Sequence, residues 1–132
     1  MAESDVQQVR AVIDEMVGAL NAGDVGRIRS LLSERPDAVH IGTDASEWET
    51  SKELVDALAA AGTDSGIQAV VDDLSVHVLG DVAWAEGRGR FTNPDGAQRP
   101  VRMTGVLVRE DGRWKVAQQH ASIGVPNADI FR

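Results

Sequence analysis

His120 sits between Gln118 and Ser122 at alternate positions, so an imidazole is flanked by two hydrogen-bonding side chains at strand spacing. Alternate side chains of an extended chain share a face. Trp114, Val116, Gln118, His120 and Ser122 are therefore expected on one side, apolar at its start and polar at its end. An imidazole at the wet end of such a face can exchange a proton near neutral pH or orient a ligand carbonyl. It can equally bond to backbone and hold the end of a sheet in shape. Gln118 and Ser122 are candidate ligand contacts, Ser122 also a strand-closing residue. No Ser-His-acid triad is legible.

Two further groups carry carboxylates. Asp44, Glu47 and Trp48 lie in the polar stretch from Thr43 to Glu49. Asp44 is a candidate general base or hydrogen-bond acceptor, and also a good turn former. Trp48 is a candidate pocket wall, as lid, core residue or stacking platform. In the second group Trp84, Glu86, Arg88 and Arg90 alternate with Ala83, Ala85, Gly87 and Gly89. If the tryptophan face is interior, Glu86 is a carboxyl against apolar walls, where its pKa rises and it can serve as acid or base. If the small residues face inward they leave room for a ligand, and the charged face meets solvent or another subunit. The second arrangement is preferred, because three charges in a row seldom face a core. Glu86 then forms a salt bridge with Arg88 or Arg102. His40 points at a pocket or at the second helix, and His77 at the surface or an interface. His40, His120 and Asp44 lack the paired spacing of a metal motif, and no glycine loop could cradle a phosphate. No metal and no cofactor are expected.

The elements that must position these residues follow from periodicity. Ser4-x-x-Gln7 has the form of a capping box, and Val6, Val9, Ile13, Met16, Val17 and Leu20 recur at helical spacing up to Gly23. Gly18 inside this helix suggests a close packing contact. Asp24 caps a second helix with Val25, Ile28, Leu31 and Leu32 as its stripe, stopped before Pro36. Ala38 to Gly42 reads as a short strand and Thr43 to Glu49 as a loop. Thr50-x-x-Glu53 is another capping box, opening a third helix that ends near Gly62. From Gly66 the pattern becomes strands. Ile67, Ala69 and Val71 are odd, whereas Leu74, Val76 and Val78 are even, so a bulge or bend is expected at Asp72-Asp73. Turns at Gly80-Asp81, Asn93-Pro94-Asp95-Gly96 and Glu110-Asp111-Gly112 separate the strand Val82 to Thr92, a strand from Pro100 or Val101 to Arg109, and the closing strand. The tail after Ser122 should be irregular. The expected class is α+β, with three N-terminal helices on one face of a bent, mostly antiparallel sheet and a cavity at its open end.

The 132 residues, 42% hydrophobic and 26% charged, are expected to form a single domain spanning 1–132. The net charge of -8 disfavours nucleic acid and anionic membrane surfaces as partners. With no cysteine there is neither a disulfide framework nor a thiolate nucleophile. No apolar run approaches the ~20 residues of a membrane helix, and the N-terminus lacks a signal-peptide pattern, so a cytoplasmic location is expected.

Trp114 followed by His120-x-Ser122 and Gly124-x-Pro126 resembles the closing strand of SnoaL-like domains of the NTF2-like, ketosteroid isomerase-like superfamily. Ile41-Gly42-Thr43-Asp44-Ala45-Ser46-Glu47-Trp48 resembles a segment at the cavity mouth of that group, although Thr50-Ser51 stands where the family often has glycine. The resemblance implies a cone-shaped roll. It implies isomerisation, cyclisation, dehydration or hydration of an apolar or polyketide-like molecule, by proton abstraction beside a carbonyl. Asp44 or Glu86 would then be the base and His120 the donor or orienter, with Trp48, Trp84 and Met103 as apolar walls and His40 and Gln118 in contact with substrate. The alternative implied by the same fold is a non-catalytic ligand-binding or association domain. One feature of the residues themselves bears on assembly. Val101, Met103 and Leu107 point one way along their strand and Thr104, Val106 and Val108 the other. Helices can cover one side only, so a homodimer is expected to cover the other.

Overall fold

The computed structural model describes residues 4–61 and 66–131. Helix α1 (Asp5–Ala22) opens with the Ser4/Gln7 capping box and closes on Gly23 in the left-handed conformation, φ 66°. Helix α2 (Val25–Leu31) is capped by the Asp24 carboxylate, which accepts from the Arg27 N–H. Helix α3 (Ser51–Ala61) has the reciprocal Thr50/Glu53 cap; its expected end at Gly62 lies outside the described residues. The strands are β1 (Val39–Ile41), β2 (Trp48–Glu49), β3 (Gln68–Leu79), β4 (Val82–Thr92), β5 (Gln98–Glu110) and β6 (Arg113–Ser122). Past Ser122 the chain is irregular apart from a short 3-10 turn at Asn127–Asp129.

The strands form one sheet in the order β2-β1-β6-β5-β4-β3. All neighbours are antiparallel except β1 and β6. The stretch expected to be a plain loop contains β2, too short to show alternation and fixed instead by pairing with β1. The helices cover one face. Val9 and Met16 of α1, Ile28 and Leu31 of α2, Leu107 of β5, and Trp114 and Val116 of β6 form the buried cluster there. Gly18 makes no close contact: a side chain at that position would meet nothing within 4 Å. No helix among the described residues is long and apolar enough to cross a membrane.

Two bulges set which side chains face the helices. The pairing of β3 with β4 shifts between Val71 and Asp73, as the change of parity in β3 predicts. Gly89 lies across from this bulge, and a Cβ there would come within 2.0 Å of the Val70 carbonyl oxygen. The second bulge is in β6. Val106 pairs with Gln118 but Leu107 pairs with Val116, leaving Ala117 as the extra residue. This overturns the expectation that Trp114 and His120 share a face. Trp114 and Val116 point into the core, Gln119 and Ala121 continue that face, and Gln118, His120 and Ser122 fall on the other.

Candidate functional site

Between the helices and the inner face of the sheet lies a cavity of about 260 Å3. Met16 and Leu20 of α1, Leu54 of α3, Leu74 of β3, Phe91 of β4 and Met103 of β5 are among its walls. The space exists because β4 turns its small side inward: Ala85 and Gly87 lie on the wall, where larger residues would fill it. The volume falls just below the ~300–1,000 Å3 range of ligand pockets, which suits a molecule of one ring or a short chain.

His40, Glu47, Glu49 and Gln119 bring polar groups to this largely apolar space, and Thr43, Thr104 and His120 also lie on its wall. His40 is 3% exposed and takes part in a chain of hydrogen bonds with defined direction. Ser51 Oγ donates to the Ser33 carbonyl at 2.6 Å, so its proton is committed. It must therefore accept from His40 Nε2 at 2.8 Å. The ring then carries its proton on Nε2 and presents the bare Nδ1 to the Gln119 amide nitrogen at 3.0 Å. A flipped Gln119 would set its carbonyl against that lone pair. Burial pushes the His40 pKa down to about 4, so the ring is neutral at pH 7 and both nitrogens are occupied. His40 is thus an orienting group, and Gln119 is the side chain whose polarity it fixes.

Glu49 lies directly across from His40 in the β1–β2 pair. Among the described residues it has neither an ion pair nor a hydrogen-bonding partner for its carboxylate. Burial raises its pKa above the ordinary glutamate value, and the negative charges of Glu47 and Glu53 push the same way. Glu47 lies beside it on the rim, accepting from the Asp44 N–H at 2.9 Å. Gly42 makes room for it: a Cβ there would sit 2.5 Å from the Glu47 carboxylate. Glu49 and Gln119 are the polar residues that sequence reasoning passed over. Glu49 stood at the end of a stretch read as loop, and Gln119 had the wrong parity.

The sequence-derived candidates are divided between two faces. His40 and Met103 line the cavity. Asp44 is exposed and organises its own turn, accepting from the Ser46 N–H at 2.9 Å and from the Ser46 hydroxyl, bonds that hold its pKa below the usual carboxylate range. Trp48 is 70% exposed and outside the cavity wall. Trp84, Glu86, Gln118 and His120 border a second hollow on the opposite face of the sheet, where Trp84 stacks on His77 and Glu86 bonds His77 Nε2 at 2.9 Å. Glu86 therefore pairs with a histidine rather than with Arg88 or Arg102. His120 lies where β1 ends and borders both hollows. Ser122 pairs across from Arg102 beyond either one. No group of three or more His, Asp or Glu side chains suited to a metal ion occurs among the described residues.

Three helices against one face of a curved, largely antiparallel sheet, with a cavity between them, define an NTF2-like fold. An NTF2-like protein of unknown function from Pseudomonas putida KT2440 superposes with a TM-score of 0.83 at 20% identity, covering 96% of this chain and 92% of that one. A proposed dehydratase of the NTF2-like family from Streptomyces avermitilis does so with a TM-score of 0.81 at 22% identity, covering 92% and 97%. A proposed calcium/calmodulin-dependent protein kinase II association domain from Xanthomonas campestris gives 0.74 at 21%, covering 95% and 91%. At these identities the likeness concerns the fold alone. No curated protein matches the chain in sequence. The SnoaL-like domain model matches residues 9–126, and the chain belongs to that family.

Proposed function

We propose that this chain is a small-molecule pocket protein that performs acid–base chemistry of the isomerase, cyclase or dehydratase type on a small apolar substrate, with Glu49 as the proton-transfer group. The observation that carries this is a carboxyl without a partner among the described residues, its pKa raised by burial, on the wall of a largely apolar cavity. A general acid or base works best when its pKa approaches the working pH. Gln119, held by His40, supplies a fixed hydrogen-bond donor for a developing oxyanion. The reaction class is one to which a protein of like fold, a proposed dehydratase, is also assigned. Asp44 and Glu86 are outside the cavity wall, and this reading assigns them structural roles; His120 borders the cavity as a secondary contact.

The test is deuterium uptake at the carbon beside the carbonyl of cyclohexanone and cyclohex-2-enone, followed by NMR. The wild type should accelerate uptake over buffer. Glu49→Gln should remove about a hundredfold or more of that acceleration, while Asp44→Asn and Glu86→Gln retain it. Uptake no faster than buffer with both ketones, or unchanged in Glu49→Gln, overturns the reading.

The association-domain reading has its own support. The outer face of the sheet leaves Leu79 74%, Trp84 44% and Val82 42% exposed, a contiguous apolar area at one end of β3 and β4. We propose a homodimer through this face. It is compatible with a working cavity, since the cavity opens on the other side of the sheet.

A further inference from the structure

We propose that the cavity is selective for charge, taking an apolar molecule that carries a protonated amine and rejecting carboxylates, phosphates and other anions. This deepens the reading of the cavity as an acid–base site and rests on it. Of the described residues that line the cavity, none is Lys or Arg, the acidic ones are Glu47 and Glu49, and the two histidines are His40 and His120, the latter at the border with the opposite face. His40, the buried base on the wall, is neutral and fully hydrogen-bonded. The groups that face Glu49 from the elements around it are Glu47 beside it, Glu53 on α3 and His40 on β1. Lys52, which precedes Glu53 on α3, is held by Asp56 at 2.6 Å.

A half-buried carboxylate with no counter-charge is costly and is relieved by a cation or a strong donor. Glu47 and Glu49 together make that demand at the rim of a space whose other walls are largely apolar. An alkyl or cycloalkyl ammonium meets both conditions: its hydrocarbon fills the cavity and its charge lies between the two carboxylates. An anion of the same shape would meet two like charges and no compensating one. The bound cation also favours the ionised form of Glu49, so the group becomes the base when substrate arrives. Amine affinity therefore rises with pH as Glu49 gives up its proton, and binding releases that proton to the buffer.

The experiment uses three probes of one skeleton: cyclohexylamine, cyclohexanol and cyclohexanecarboxylate. Each is titrated into the full chain at pH 7.5 and followed by NMR shift changes at Leu54, Leu74 and Met103. The expected result is that the amine binds at least tenfold more tightly than the alcohol, with the carboxylate weakest. Glu49→Gln should bring the amine to the level of the alcohol, and Glu47→Gln should narrow the gap partway. Glu86→Gln, on the opposite face, should change nothing. Retained alcohol binding in Glu49→Gln shows that the cavity is still formed; if that variant fails to fold, the pH dependence of amine binding by the wild type decides. Equal affinity for amine and alcohol, carboxylate binding as tight as either, or amine binding independent of pH overturns the inference. Its failure is distinct from that of the acid–base reading: amine selectivity without ketone exchange sinks the chemistry alone, and ketone exchange without amine selectivity sinks the charge preference alone.

Discussion

His40 gives the molecule a pH signature with a definite sign. Its pKa is about 4 when folded against an ordinary 6.5. Between those values the unfolded chain binds the proton and the native one does not. The stability that depends on a neutral His40 is therefore complete above pH 6.5 and is lost as pH falls toward 4. The gap corresponds to about 3 kcal/mol. Glu49 acts in the opposite sense: with its pKa raised on folding, its contribution is present below the ordinary glutamate value and is lost as pH rises through the folded value. Urea denaturation of wild type and His40→Asn at several pH values between 7 and 4 separates the two, and the variant should lose most of the acid-side decline. Ser51→Ala should cost about 1–3 kcal/mol by orphaning His40 Nε2 and the Ser33 carbonyl. Nitrogen-15 shifts of the His40 ring should show Nε2 protonated in the wild type and a mixture of tautomers in the variant; an unchanged ring spectrum would count against the relay. None of this was legible from residue types. A histidine beside a valine and an isoleucine signals burial, but its partners Ser51 and Gln119 lie 11 and 79 residues away.

The elements themselves follow closely from local chemistry. Reciprocal caps, a left-handed glycine and apolar stripes are short-range features, and the three helices begin where those features stand. Gly18 is the exception that teaches something. It faces open space within α1, so Gly18→Ala should stabilise the protein by about 0.5–1 kcal/mol, measured as a higher urea midpoint. Gly89→Ala should do the reverse and by more, because its Cβ would collide with the Val70 backbone and undo the β3 bulge. Thermal denaturation of the two variants side by side checks both signs.

At the scale of the whole molecule, the outer sheet face and its exposed Leu79, Val82 and Trp84 predict self-association. Sedimentation should show a dimer at micromolar concentration, with Leu79→Lys combined with Trp84→Glu shifting it to monomer while leaving ketone exchange within a few-fold of wild type; a monomeric wild type would refute the pairing. The residues alone determined the α+β order, the turns and the β3 bulge, and favoured the small face of β4 as the inward one, because each is written in the contrast between apolar and polar neighbours. The β6 bulge had no such mark. Gln118, Gln119 and His120 are all polar, so sliding them by one residue leaves the pattern unchanged. Only the pairing of β6 with β5 decided that His120 leaves the face of Trp114 and Gln119 takes its place. Likewise only the β1–β2 pairing set Glu49 across from His40, since which strands lie side by side is a matter of tertiary packing that no single stretch of chain encodes.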